Sequence, residues 1–331
     1  MTTNERVAEQ AWWDKPRDAD AASNLDQAEL TTIRDGSGAI EDGVSDERCS
    51  NELFDEGSDF EDESRVVATD LQADELVGGA IDQAKLRLRD LGDRYPFSLD
   101  GSRLSHTASD NHWAYTFCLL ASLANEFDSQ QKRRLRACFE VLTRDVSKVY
   151  WGSTANSFRC GHPWDIYAAK HFRKTKAVFE YLHGLVGDKY DWKWGPLEEL
   201  PEDPSYQRSK DLGVDVVTWR PWQDDRGGQH YLLVQCATTE RGVLSKADDI
   251  KRTRLEEYMR MPCAGFAKAI ATPSCILNPT AIRELSRRAG LVFERSRIVK
   301  VVHSAEWGSE QRESQEKCIE LTQQIMPGLT A

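Results

Sequence analysis

Hydrophobic positions recur at helical spacing from Leu76 onward: Leu76, Ile81, Ala84, Leu88 and Leu91 fall on one stripe that stops at the breaker Gly92. The next segment, RYPFSLDGSRL, reads as an extended connector. His112 to Phe127 and Gln131 to Val146 follow as amphipathic or buried helices, and together these segments predict a helical region over residues 76–150. A further helical pattern covers Pro163 to Val186, with its proline in the tolerated first turn.

Beyond the polar LEELPEDPSYQ the period changes. VDVVTW (Val214 to Trp219) and HYLLVQCA (His230 to Ala237) are runs of β-branched and apolar residues, separated by WRPWQDDRGGQ with its Gly227-Gly228 turn. A helix is predicted from about Lys246 to Met259, then a strand in AGFAKAIATP. The helix TAIRELSRRAG stops at Gly290, LVFERSRIVKVV supplies one or two strands, and EQRESQEKCIELTQQI closes the chain as a helix. This order predicts an α/β fold of mixed (α+β) character over residues 151–331, with a central mixed sheet flanked by helices.

Residues 1–75 stand apart. From Ala11 to Asp74 aliphatic positions are few, and the segment ends in NELFDEGSDFEDES, so it is read as a disordered acidic tail. Leu53, Phe54 and Phe60, set among carboxylates, also suit a short partner-binding or autoinhibitory element. Charge sharpens the division. The chain of 331 residues carries a net charge of −12, but residues 1–75 hold 22 acidic and 6 basic side chains against 33 and 37 in the rest. The body is therefore mildly basic, and the low overall pI of about 5.2 does not argue against a polyanionic ligand.

Eight cysteines stand singly, several in apolar runs such as YTFCLL, as reduced buried thiols do. Cys160 with His162 lacks a second ligand pair for zinc, and His162, His171 and His183 form no metal spacing. MTTNERVAEQAWWDKP has no apolar targeting core, and no apolar run approaches the roughly 20 residues of a membrane span. A cytoplasmic protein is expected.

Candidate chemistry concentrates between Lys210 and Lys246. Asp215 opens a strand just after Gly213, and Gln235 ends the partner strand twenty residues later. In a twisted hairpin their oxygens converge, which suits Mg²⁺, with Mn²⁺ as an alternative. No G-x-S-x-G and no glycine-rich nucleotide loop point elsewhere.

The string KDLGVDVVTWRPWQDDRGGQHYLLVQCATTERGVLSK resembles the core hairpin of a divergent group of PD-(D/E)XK, or restriction-endonuclease-like, nucleases of bacterial genomes, often in phage-defence settings. The likeness lies in D-x-G-x-D-V-V-x-W-R-P, a glycine turn, a strand ending Q-C-A and a lysine ten residues on. It is looser over residues 265–299 and does not cover residues 1–75.

The resemblance implies a restriction-endonuclease-like core in which Asp215 is the essential metal-binding aspartate. Gln235 stands at the acidic position of the E-x-K triplet and Ala237 at its lysine. The Cys236 carbonyl would then coordinate the ion, while Lys246, or failing it Lys210, would supply the missing ammonium. An acid on the preceding helix, Asp165 or Glu180, would complete the site, and solvated helix charge is the alternative for each. Asp211 reads equally well as a strand cap. The implied activity is DNA cleavage, with a partner protein supplying targeting or activation. A module with an eroded triplet, binding nucleic acid or a partner protein, is the competing expectation.

Three weaker features remain. KRRLR (Lys132 to Arg136) and the alternate arginines Arg295 and Arg297 could follow a phosphate backbone, or simply face solvent. Trp219 and Trp222 flank the hairpin turn and could stack on bases, although packing suits them as well.

Overall fold

The computed structural model describes residues 16–43, 63–160 except 108, 175–186, 192, 193, 195, and 212–327 except 223, 225, 239, 261, 263 and 305. The chain divides into two compact units, Met1–Leu119 with Met326–Ala331, and Leu120–Ile325.

In the first unit, helix α1 (Pro16–Asp35) packs on α2 (Glu63–Leu91). Strands β1 (Ser37–Ala39), β2 (Phe97–Asp100) and β3 (Arg103–His106) form an antiparallel sheet in the order β1-β3-β2, and the chain leaves through α3 (Trp113–Ser122). Two expectations change. RYPFSLDGSRL is a hairpin, turned at Gly101 with φ +61°, and not a plain connector. The segment read as disordered contains α1, because its few apolar residues, Ala21, Leu25 and Ala28, fall on one buried face. Composition averaged over the whole segment hid that alignment.

Two acids of α1 are buried as well. Arg87, fully buried on α2, donates to Asp26 at 2.6 Å and lies 2.9 Å from Glu29. Tyr95 and Tyr115 donate to Glu29 at 2.6 and 2.9 Å. Burial, then the Glu29 charge, pushes the Tyr95 hydroxyl pKa well above its usual value, so the hydroxyl remains a donor.

The second unit opens with α4 (Ser129–Trp151), started by a capping box in which Asp128 accepts from the Gln130 and Gln131 amides. It continues through β4 (Asn156–Arg159), α5 (Thr175–Val186), β5 (Val216–Arg220), β6 (His230–Cys236), α6 (Glu240–Lys246) and α7 (Arg252–Glu256). Then come β7 (Phe266–Ala271), α8 (Pro279–Ala289), β8 (Leu291–Phe293), α9 (Arg295–Val302) and α10 (Arg312–Ile325). The mixed sheet runs β4-β5-β6-β7-β8, antiparallel through β6 and parallel from β6 to β8.

Side chains alternate across this sheet. Val217, Trp219, Tyr231 and Leu233 face a core made with Phe179 and Leu182 of α5, Trp192, and Leu255 of α7. Thr218 faces the other way, bonded at 2.7 Å to Ser147 of α4. Over the parallel strands, Val243 of α6 and Leu285 of α8 pack against Ile270 and Val292. The long central helix α4 is in turn covered by α9 and α10.

Of the expected helix Lys246–Met259, the structure has only α7 (Arg252–Glu256); Lys246 instead ends α6 (Glu240–Lys246), and residues 247–251 are a non-helical turn between them. LVFERSRIVKVV is a three-residue strand and then α9, because the Glu294 carboxylate accepts from the Ser296 and Arg297 amides at 2.9 and 2.8 Å. That cap overrides the β-branched composition. Of the helix expected from Pro163, only Thr175–Val186 lies within the described residues. Among the described residues, no helix is long and apolar enough to cross a membrane.

Replacing Arg87 with leucine would leave Glu29 buried without that cation. The expected loss is about 3–5 kcal/mol of stability in the first unit. Denaturant unfolding followed by the fluorescence of that unit checks it, and a change under about 1 kcal/mol would contradict the buried pairing.

Candidate active site at the end of the central hairpin

Leu212 and Gly213, with φ of +56° and +81°, turn the chain sharply into β5. Asp215 then extends the ladder by one residue: its amide donates to Val234 O at 2.9 Å, while its carbonyl accepts from the Cys160 amide at 2.8 Å. Val216 pairs with Val234 just inside the strand, and beyond that pair the side chains of Asp215 and Gln235 are joined by a hydrogen bond. The two side chains meet, but Gln235 presents its amide nitrogen to Asp215 and not the oxygen expected.

The Asp215 carboxylate is buried and held rigidly. Its Oδ2 accepts from the Cys236 amide at 2.6 Å and from Gln235 Nε2 at 3.1 Å. Gln235, only 5% exposed, uses its amide nitrogen in this way, but its Oε1 has no hydrogen-bond partner among the described residues. An unmet buried carbonyl costs about 1–3 kcal/mol and calls for an explanation such as a bound ion. That oxygen is directed toward Gly213, where a Cβ would stand 3.0 Å from it.

Lys246, the last residue of α6, donates from Nζ to the Cys236 carbonyl at 2.9 Å. Ala237, the residue after Cys236, is fully buried in the core beside Val243 of the same α6. The Cys236 carbonyl, expected to face a metal ion, accepts the Lys246 ammonium on one of its two lone pairs, and the side-chain oxygens beside it belong to Asp215 and Gln235. Glu180 lies on the exposed side of α5, beside the buried Phe179. Asp165, Lys210 and Asp211 lie outside the described residues.

Burial, then the charges of Asp215 and Glu140, pushes the Cys236 thiol well above its usual pKa; a Thr143 hydrogen bond and Lys246 oppose them. The thiol is neutral and no nucleophile. Glu140 was missed in the sequence. It is a buried acid inside the apolar run CFEVL of α4, and its Oε2 accepts from Arg159 Nε at 2.7 Å. An acid at an apolar helical position was the available signal. Asp249, also missed, sits beside Gly213: a Cβ on that glycine would come within 3.0 Å of the Asp249 Cβ. Among the described residues, no three His, Cys, Asp or Glu side chains gather as a metal-binding group.

The arginines suggested as backbone contacts are committed elsewhere. Arg295 is fully buried, donating to Pro273 O and Ser122 Oγ at 2.8 Å each, and Arg297 donates to Val292 O at 2.9 Å. Trp219 is core, whereas Trp222 is 69% exposed on the hairpin turn. Within KRRLR, Arg133 is exposed and Leu135 is buried.

A raised thiol pKa contributes stability that is fully present below the ordinary cysteine value, about 8.5, and is lost as pH rises through the folded value. Native protein should therefore leave Cys236 unalkylated by iodoacetamide at neutral and mildly alkaline pH, with modification appearing on denaturation. Peptide mass spectrometry reads this directly, and rapid labelling of the native chain would contradict it. Comparison of the chain with protein-family models, with curated proteins and with solved structures gives no match, so the arrangement of these side chains carries the functional reading.

Proposed function

We propose that the second unit is a divalent-metal-dependent nuclease domain of the PD-(D/E)XK kind, hydrolysing DNA phosphodiester bonds as the effector of a bacterial antiphage or restriction-type system. One observation carries this reading: Lys246 Nζ reaches the Cys236 carbonyl, next to a carboxylate and an amide that pair across the hairpin. An acid, an amide oxygen and an ammonium held on rigid elements are a set that phosphoryl chemistry can use. The mixed sheet flanked by helices supports it as well.

The donor set fits Mg²⁺ or Mn²⁺. Asp215 and Gln235 offer hard oxygen atoms, and the orphaned Gln235 Oε1 is the kind of atom a cation would satisfy. Asp215 and Gln235 would hold the ion, which when bound neutralises phosphate charge and makes water more acidic. The remaining work belongs to the chain. The Cys236 amide fixes the Asp215 carboxylate, and Gln235 Nε2 keeps it aligned. Lys246 brings positive charge toward the scissile phosphate. A partner protein would supply targeting.

The second reading is a nucleic-acid- or protein-binding module. Gln235 and Ala237, standing where the triplet has an acid and a lysine, favour it. Plasmid, single-stranded DNA and RNA, each incubated with Mg²⁺, Mn²⁺ or EDTA, separate the two readings and identify the nucleic acid cut.

Under the nuclease reading, Asp215→Asn should reduce metal-dependent cleavage by at least about 100-fold with an unchanged circular-dichroism spectrum. Full activity in that variant would sink the assignment. Gln235→Glu places a second carboxylate against Asp215, so it should tighten Mg²⁺ binding by roughly tenfold while lowering the melting temperature of the metal-free protein. Calorimetric titration and thermal melts with and without Mg²⁺ check both halves.

A further inference from the structure

We propose that Cys138 and Cys318 form an oxidation site, a thiol pair that a peroxide converts to a disulfide locking α10 onto α4. Cys138 Sγ lies 3.6 Å from Cys318 Sγ, and both side chains are fully buried. The pair is 180 residues apart in sequence and lies outside the hairpin, so it owes nothing to the nuclease reading.

Helix geometry sets the two sulfurs against each other. On α4, Glu140, Thr143 and Ser147 fall at i, i+3 and i+7 on the face toward the sheet, where Glu140 meets Arg159 of β4 and Ser147 meets Thr218 of β5. Cys138 precedes Glu140 by two residues, about 200° around the helix, and so turns outward to α10. The buried face of α10 is Ser314, Cys318, Leu321 and Thr322, of which only Leu321 is a large apolar side chain. Thr322 Oγ1 is buried with no hydrogen-bond partner among the described residues. Before the helix, Glu310 reaches Lys148 of α4 at 2.6 Å, but this acid is largely exposed and such pairs hold weakly. The attachment of α10 is therefore thin, and the thiol pair lies within it.

Closing the sulfur–sulfur distance by about 1.5 Å makes the bond. Hydrogen peroxide is the oxidant, and it enters when α10 opens locally, as a helix with a thin buried face does more readily than a central one. One sulfur, as its thiolate, attacks a peroxide oxygen; the O–O bond breaks, leaving a sulfenic acid and a hydroxide that takes up the displaced proton as water. The second sulfur then attacks the sulfenic sulfur, the S–O bond breaks, and the hydroxide leaves with the second thiol proton as another water. Two thiols are oxidised to one disulfide while one peroxide is reduced to two waters. A bond across so long a loop restrains the unfolded chain strongly, so the oxidised protein is the more stable form.

The test treats the full native chain with hydrogen peroxide, digests it without reduction and maps the peptides by mass spectrometry, with Cys318→Ala as control and folding monitored by circular dichroism. The expected result is a peptide joining Cys138 to Cys318 that is lost on treatment with dithiothreitol and is absent from Cys318→Ala. Oxidation should also raise the melting temperature of the wild type by about 5–15 °C and leave that of the variant unchanged. Recovery of both thiols unlinked from the oxidised native chain, or of either sulfur joined to a different cysteine, overturns the proposal. A linked peptide with an unchanged or lowered melting temperature overturns the lock. Should Cys318→Ala not fold, the wild-type map and melt decide the matter alone.

Discussion

Asp215 Oδ2 accepts two hydrogen bonds, from the Cys236 backbone amide and from the Gln235 side chain, and this shared acceptor ties the start of β5 to the end of β6. A buried carboxylate is costly unless its lone pairs are met, so these donors are what make an acid tolerable there. The same bonds orient Gln235 and leave its carbonyl oxygen without a partner. They also place the Cys236 carbonyl where Lys246 reaches it. The site thus depends on backbone groups of the sheet, which are harder to displace than a network of surface side chains.

Electrostatics in this corner is nearly balanced by construction. Asp215 lies on one side of the sheet end, while Glu140, paired with Arg159, acts on Cys236 from the α4 side. Lys246 counters them. Burial and these charges together hold the Cys236 thiol pKa well above its usual value.

The hairpin was legible because its signals are local: β-branched runs and a Gly-Gly turn between two strands that pair from Val216 with Val234 to Arg220 with His230. The end of α8 at Gly290 was legible for a similar reason, since its φ of +84° suits glycine. Other features depended on distant partners. α1 looked too acidic to fold until Arg87, sixty-one residues from Asp26, supplied the matching charge. α9 looked like a strand because its β-branched residues outweighed the single capping acid, Glu294. The contact of Lys246 with the Cys236 carbonyl, between residues ten apart, needed three dimensions.

The central claim is that Lys246 performs the work of the lysine that Ala237 lacks. The most direct measurement is single-turnover cleavage of plasmid DNA by wild type and Lys246→Met, with Mn²⁺ affinity measured on both. The account predicts a fall in the cleavage rate of about 100-fold or more with the metal still bound. Cleavage by the folded variant at the wild-type rate would contradict it.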